Sequence, residues 1–201
     1  YGSNADGTPN QSLPIYEYVI SNGMEGHDFD PNYNYGQGIP LTPAPTVLLL
    51  CGVHGNERAS VWSTLQFVKQ LLNDHSDNDT LSSILSNTNL RIIPILNPFG
   101  FNQNTRHNAR SVDLNRNFSF QWDTLIDGAA FKGSTPYSEL ETQIARDWMI
   151  EHNDAFAFID FHNTTGKIHY TYMLTHNIKI QKMFSNLIRR IQPVWVRDYD
   201  I

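Results

Sequence analysis

An unbroken apolar run at residues 46–51 leads into a turn that carries an imidazole and a carboxylate, His54 and Glu57. A β-branched and aliphatic run without polar alternation is typical of a strand buried on both faces of a parallel sheet. Gly52 and Gly55 allow the backbone to turn tightly behind this strand, before a helical pattern begins. Open α/β sheets bind ligands at the carboxyl ends of their strands. The sequence therefore predicts that His54 and Glu57 face a functional crevice.

The spacing of His54 and Glu57 also suits a metal site. Zinc in hydrolases is commonly held by two His and one Glu, with a fourth position left for water, so the motif offers two of three ligands. His162 follows an apolar run at 155–161 and is the candidate third ligand, although a histidine at such a place can also be a core residue. Asp160 lies on the same face of that strand and is predicted to orient a neighbouring group.

Composition limits the possible classes of protein. The 201 residues are enough for one domain, which is expected at 13–201 behind a polar, flexible lead-in or linker at 1–12. The net charge of −6 argues against a nucleic-acid partner, because phosphate binding requires clustered Lys and Arg. The longest apolar run, 47–53, is too short to span a bilayer, so no membrane partner is expected. The single cysteine excludes an internal disulfide.

Apolar periodicity predicts alternating strands and helices. Buried strands are expected at 46–53, 90–96 and 155–161, an edge strand at 13–20 and a weaker strand at 169–174. Helices are expected at 56–73, 80–86, 138–153 and 178–191, and a long loop at 21–45. Ser138 and Glu141 predict a capping box at the third helix. This order predicts an α/β fold with three α/β/α layers and a mainly parallel, mixed central sheet.

The segment 101–135 is predicted to be irregular, which is unusual for so long a stretch unless it builds a site. It contains Arg106, Asn115 and Arg116. Arginine forks recognise carboxylates in a bidentate manner, and asparagine adds directional donors and acceptors. Together with a metal, these residues indicate an anionic substrate that contains a scissile carbonyl.

With these motifs in place, the chain resembles the zinc carboxypeptidases of the carboxypeptidase A type. The resemblance covers residues 46–163, in the order found in that family. The matching pieces are His54-Gly-Asn-Glu57, Asn97-Pro-Phe-Gly-Phe101, Asp113-Leu-Asn-Arg-Asn117 within 106–118, Ser138-Glu-Leu-Glu-Thr142 and the strand that leads to His162.

The resemblance implies a role for each matching residue. One zinc ion would be bound by His54, Glu57 and His162, and Asp113 would fix the tautomer of His54. Asn115 and Arg116 would hold the terminal carboxylate of the substrate. Arg106 would polarise the scissile carbonyl and stabilise the developing oxyanion. The implied function is zinc-dependent hydrolysis of a C-terminal peptide bond.

The chain also departs from that family. The family's general base is a Glu on a strand well after the third ligand, but residues 163–201 contain no Glu. Because the sequence also begins with Tyr1, we expect a processed product or a fragment whose domain lacks its last strands. Phe161-His162-Asn163-Thr164-Thr165 resembles a second, related branch, the aspartoacylases and succinylglutamate desuccinylases, which hydrolyse N-acyl amino acids.

Three functions therefore remain open from the sequence: a peptidase, a deacylase of N-acyl amino acids and an inactive zinc-bearing module that binds peptides. The expected partner is a peptide or an N-acyl amino acid with a free carboxylate. A peptidase would favour an extracellular or cell-envelope location, and a deacylase would favour the cytoplasm. The sequence does not indicate an oligomeric state.

Overall fold

The computed structural model describes residues 1–21, 44–124, 131–164 and 167–171. Within these ranges, five strands form one sheet: β1 (Tyr18–Ile20), β2 (Thr46–Cys51), β3 (Asn89–Ile93), β4 (Ala157–Thr164) and β5 (Lys167–Thr171). The strand order is β1-β3-β2-β4-β5. The described residues also form four α-helices: α1 (Arg58–Asn73), α2 (Asp79–Asn87), α3 (Pro98–Gln103) and α4 (Leu140–Glu151).

The middle strand, β2, pairs in parallel with β3 on one side and with β4 on the other. The outer strands β1 and β5 pair antiparallel with β3 and β4. The three buried strands predicted from the sequence are therefore interior strands of the described sheet, and the α/β fold with a mixed sheet is confirmed. Strand β4 extends further than predicted, so that His162 lies within it and pairs in register with His169.

Helices cover both faces of the sheet, which gives the predicted three layers. Leu48 and Leu50 of β2 lie in a core cluster that includes Trp148 of α4. Leu49, between them, packs against a second cluster that includes Leu71 of α1. Because successive side chains of a strand point to opposite faces, this alternation places α4 and α1 on opposite sides of the sheet.

The N-terminus of helix α4 does not form the predicted capping box. The helix begins at Leu140, and Glu139 occupies the N-cap position. The side chain of Glu139 makes no capping hydrogen bond to the helix. The carboxylate of Glu141 accepts hydrogen bonds from Ser3, which is distant in the sequence. Instead, Oδ1 of Asn117 accepts hydrogen bonds from the backbone N–H of Glu139 at 3.2 Å and from Oγ1 of Thr142 at 2.6 Å. Asn117 therefore ties the residues at the start of α4 to the irregular segment that precedes the helix.

Residues 1–12, predicted to be a flexible lead-in, are packed against the domain. The backbone N–H and the hydroxyl of Ser3 both donate to Oε1 of Glu141 at 2.8 Å. The amide of Asn108 donates to Oγ of Ser3 at 3.3 Å, and the backbone N–H of Gly2 donates to the carbonyl of Leu13 at 2.8 Å. Ser3 and Glu141 are both buried, so these bonds fix the segment to α4.

Several predicted features lie outside the described residues: most of the 21–45 loop, the end of the strand predicted at 169–174 and the helix predicted at 178–191. Strand β5 occupies the first part of the strand predicted at 169–174. None of the helices in the described ranges is long and apolar enough to cross a membrane.

Candidate metal centre

The turn behind β2 is held in a tight conformation by its own backbone and by α3. The backbone N–H of Glu57 donates to the carbonyl of His54 at 3.1 Å. Gly52 adopts a φ of +63°, a region in which a side chain would be strained. Gly55 lies directly against Gly100, because a Cβ atom at Gly55 would stand 1.9 Å from the carbonyl carbon of Gly100. Both glycines of the turn are therefore required by geometry.

Three buried side chains converge beside this turn: His54, Glu57 and His162. Their potential ligand atoms all lie within 4.8 Å of one another. Nδ1 of His54 is 2.7 Å from Oε1 of Glu57, and Nδ1 of His162 is 2.9 Å from Oε2. The two Nδ1 atoms are 3.2 Å apart. The predicted trio is thus brought together by the end of β2, the start of α1 and β4.

A carboxylate stands behind each histidine. Nε2 of His54 is 3.0 Å from Oδ1 of Asp113, and Nε2 of His162 is 2.9 Å from Oδ2 of Asp160. An ionised carboxylate can only accept, so each histidine donates its Nε2–H. The predicted contacts of Asp113 and Asp160 are both present, and they orient the two rings towards each other.

This arrangement fits a metal ion. An imidazole that donates from Nε2 has a lone pair at Nδ1 unless it carries a second proton. The two Nδ1 atoms of His54 and His162 face each other, and the carboxylate of Glu57 adds two further acceptor oxygens. These acceptors repel one another unless a proton or a cation lies among them. Two imidazoles and one carboxylate form a donor set that zinc prefers, so the residues fit a zinc ion.

The ionisation of the site supports the same conclusion. Burial alone would raise the pKa of Glu57, but its hydrogen bonds with His162 and His54 outweigh this effect and lower the pKa to about 2. Burial opposes ionisation of Asp113 too, but His54 and Arg106 hold its pKa well below the usual range. Burial would lower the pKa of His162, yet its bonds to Asp160 and Glu57 raise it to about 9. Without a metal, the site therefore holds a proton on His162.

Arg106 is tied to the same group of residues. Its Nε atom donates to Oδ2 of Asp113 at 2.8 Å, and its Nη1 atom is 3.7 Å from Oε1 of Glu57. Asp113 thus binds His54 with one oxygen and Arg106 with the other. The Arg106 side chain is one-third exposed, whereas Asp113 is fully buried, so the guanidinium is held at the mouth of the site.

Asn115 and Arg116 lie next to this group and are linked to it through the backbone of Asn115. They belong to a short 3₁₀ turn at Leu114–Arg116. The backbone N–H of Asn115 donates to Oδ1 of Asp113 at 3.0 Å, and Nη1 of Arg116 donates to the carbonyl of Asn115 at 3.2 Å. Among the described residues, neither side chain bonds to the three converging ligand atoms. The predicted substrate-binding residues are therefore adjacent to the predicted metal ligands rather than in contact with them.

One residue of the site had no assigned role in the sequence analysis. Asn163 accepts a hydrogen bond from the backbone N–H of Ser60 through its side chain and donates to Glu57 through its backbone. The strand predicted from the sequence ends at residue 161, and no structure is predicted for Asn163. A longer strand would have predicted that its side chain faces away from that of His162, towards a covering helix.

The chain belongs to the zinc carboxypeptidase family, because the model of that family matches residues 15–192. A zinc carboxypeptidase fold and a cluster of two histidines and one glutamate are thus found together in one chain.

Relatives and solved structures agree with this assignment. The chain is 26% identical to human carboxypeptidase O over 185 residues, which cover 81% of this chain and 50% of the relative. It is 27% identical to human mast cell carboxypeptidase A over 148 residues, or 64% of this chain and 36% of the relative. The chain therefore spans half or less of the length of these relatives.

Two crystal structures share the fold. The carboxypeptidase A of Helicoverpa armigera superposes with a TM-score of 0.62 and 24% identity, over 76% of this chain and 42% of that one. The thrombin activatable fibrinolysis inhibitor superposes with a TM-score of 0.66 and 20% identity, over 94% of this chain and 47% of that one.

Proposed function

We propose that the protein is a zinc-dependent metallocarboxypeptidase that removes a residue from the C-terminus of a peptide. The observation that carries the proposal is the shared carboxylate of Asp113, which binds one predicted zinc ligand, His54, and one predicted substrate residue, Arg106. A metal site and a cation are thereby held at a fixed separation at the same crevice. Family membership supports the proposal.

A bound zinc ion would supply Lewis-acid chemistry, because zinc polarises carbonyl groups and lowers the pKa of water. His54, Glu57 and His162 would hold it. Arg106 would donate hydrogen bonds from its exposed edge to the oxygen of the scissile carbonyl, where negative charge develops. Its Nε atom is already bound to Asp113, so the guanidinium needs little reordering before it binds substrate.

Asn115 and Arg116 would bind the terminal carboxylate of the peptide. The 3₁₀ turn that carries them is anchored by Asp113, through the hydrogen bond from the backbone N–H of Asn115. The carboxylate-binding residues and Arg106 therefore share one support. We therefore infer that one substrate presents a free carboxylate to Asn115 and Arg116 and a carbonyl to Arg106, as the C-terminus of a peptide does.

The proposal can be tested with the complete, zinc-loaded gene product. Three substrate types distinguish the functions: a peptide with a free C-terminus, the same peptide with an amidated C-terminus, and N-acyl amino acids such as N-acetylaspartate. We expect release of the C-terminal residue from the first peptide and little reaction of the second, because the amide cannot pair with arginine as a carboxylate does. Turnover confined to N-acyl amino acids would establish a deacylase instead. Binding of the peptide without any turnover would establish a binding module.

Metal dependence requires its own control. We expect His162→Ala to bind less zinc and to lose turnover, because one of three ligands is missing. His75→Ala is a matched control, since His75 lies in a 3₁₀ turn after α1 and is not part of the converging trio. Equal zinc content in His162→Ala and in His75→Ala would remove His162 from the site.

A further inference from the structure

We propose that Asn163 is a positioning residue that fixes Glu57 relative to His162 and thereby sets the affinity of the site for zinc. The inference rests on the proposal that zinc is bound by His54, Glu57 and His162. It concerns a residue that does not supply a ligand atom to the converging trio.

The start of α1 lacks a cap of its own. Glu57 stands at the N-cap position, but its side chain makes no hydrogen bond to the helix, because its carboxylate is directed at the two histidines. The first turn of α1 contains no acidic residue. The first backbone N–H groups of a helix have no partner within it, so they require an acceptor from elsewhere.

Asn163 supplies that acceptor across a long sequence distance. Its Oδ1 atom accepts a hydrogen bond of 2.9 Å from the backbone N–H of Ser60, the third residue of α1. Ser60 in turn is buried and donates from its hydroxyl to the carbonyl of Glu57 at 2.8 Å. A strand residue thus performs the role that a Ser, Thr, Asp or Asn at the N-cap position usually performs.

The backbone of Asn163 makes a second contact with the same ligand. Its N–H donates to Oε2 of Glu57 at 2.9 Å, the oxygen that also faces His162. Asn163 is therefore bonded to Glu57 directly through its main chain and to the first turn of α1 through its side chain. Because Asn163 directly follows His162 in β4, these two bonds define the position of one ligand relative to the other.

Loss of the side chain of Asn163 should therefore affect the site more than the fold. Without Oδ1, the first turn of α1 has no acceptor for Ser60, and the backbone beneath Glu57 can shift. A weakly held ligand must be ordered when the metal binds, which lowers the affinity. Removal of groups that orient metal ligands typically reduces metal affinity by about 10–100-fold.

A second helix cap provides a matched control. Asn78 caps α2, where its Oδ1 atom accepts from the backbone N–H groups of Thr80 and Leu81 at 3.0 and 3.1 Å. Asn78→Ala thus removes a cap of the same chemistry from a helix that contributes no ligand to the trio. Asn163→Asp retains an acceptor oxygen and serves as the rescue variant.

The experiment measures zinc affinity by competition with a chelator and, separately, the urea midpoint of each metal-free protein. We expect Asn163→Ala and Asn78→Ala to lower the midpoint to a similar extent. Only Asn163→Ala should weaken zinc binding, by about 10–100-fold, and Asn163→Asp should bind zinc nearly as well as the wild type. Equal zinc affinities of the two alanine variants, or an aspartate variant as weak as Asn163→Ala, would overturn the proposal.

Two further outcomes are distinguishable. If Asn163→Ala does not fold, Asn163→Ser is measured in its place, because its hydroxyl lies one bond closer to the backbone and does not reach the backbone N–H of Ser60 as Oδ1 of Asn163 does. Weakened zinc binding by the serine variant supports the positioning role, and wild-type affinity overturns it. A wild-type protein that binds no zinc would refute the metal site itself, whereas a zinc-binding wild type with an unaffected Asn163→Ala would refute only the role of Asn163.

Discussion

Arg106 and Asp113 form a hydrogen-bonded ion pair in which Nε donates to Oδ2 at 2.8 Å and the carboxylate is completely buried. The other oxygen of Asp113 accepts from His54, so a single carboxylate binds two side-chain donors with different proposed tasks. An ionised carboxylate suits this position because both of its oxygens are acceptors.

The first prediction concerns Asp113→Asn. An amide has one acceptor oxygen and one donor nitrogen, so it must face either His54 or Arg106 with the wrong group. We expect zinc affinity to fall by about 10–100-fold. We also expect KM or kcat for the substrate to change, because Arg106 loses its hydrogen bond to Asp113. Chelator competition measures the first effect. Asp147→Asn, which alters an exposed carboxylate on α4, is the control, and unchanged zinc binding in Asp113→Asn would contradict the prediction.

The second prediction concerns pH. In the metal-free protein the pKa of His162 is raised from 6.5 to about 9. The folded protein therefore binds this proton more tightly than the unfolded chain, and the resulting stability is fully present below pH 6.5. It is lost as the pH rises towards 9, a change on the order of 3 kcal/mol. Urea denaturation across this range should show the decline, and His162→Gln should flatten it.

The same proton links zinc affinity to pH. A metal ligand must be deprotonated, so zinc must displace the proton of His162 wherever the pH lies below about 9. Apparent zinc affinity should therefore increase between pH 6.5 and 9 and level off above that value. An affinity independent of pH across this interval would show that His162 is already neutral in the metal-free protein.

The third prediction concerns Arg116. Replacement by alanine should raise KM for peptides with a free C-terminus, since hydrogen bonds between charged groups contribute about 1.5–3 kcal/mol. The variant should also lose its preference for free over amidated peptides, because no guanidinium remains to recognise the carboxylate. Arg146→Ala is the control, as Arg146 lies on α4 and pairs with Asp147. An unaltered preference in Arg116→Ala would assign carboxylate recognition to another residue.

The fourth prediction concerns the general base. Residues 163–201 contain no Glu, and in the described part of the site Asp113 and Asp160 are both bonded to histidines. We therefore expect the 201-residue polypeptide to bind zinc but to hydrolyse peptides more slowly than a longer form that carries the family's Glu on a strand after His162. A positioned acid–base group contributes about 10²–10⁴-fold. Equal turnover by the two proteins would show that a base already lies within these residues.

The interior strands of the sheet could be predicted from the sequence, because apolar runs and helical spacing are patterns of neighbouring residues. The apolar run at 46–51 and the helical spacing behind it fix β2 and α1, which place His54 and Glu57 at one corner. His162 was found by the same reasoning, since the end of a parallel strand leads to the same edge of the sheet. Asp113 was assigned through the resemblance rather than from any local pattern.

The incorrect predictions concern groups whose partners are distant in the chain. Ser138 and Glu141 have the spacing of a capping box, but Glu141 instead binds Ser3, which lies 138 residues earlier. The same contact explains why residues 1–12 are packed against the domain despite their polar composition. Asn163 was overlooked for a similar reason, because its partner, Ser60, is 103 residues away. A single sequence contains no signal for such pairings.

The contact between Gly55 and Gly100 has a consequence for mutational scanning. A methyl group at position 55 would collide with the backbone of α3, so the turn would have to move away from it. His54 and Glu57 flank this turn, and their separation would change with it. An alanine scan that scores lost activity would thus rank Gly55 with the metal ligands, although it has no side chain with which to react. Functional maps of this protein need a separate measurement of metal content to distinguish residues that perform chemistry from those that only leave space for it.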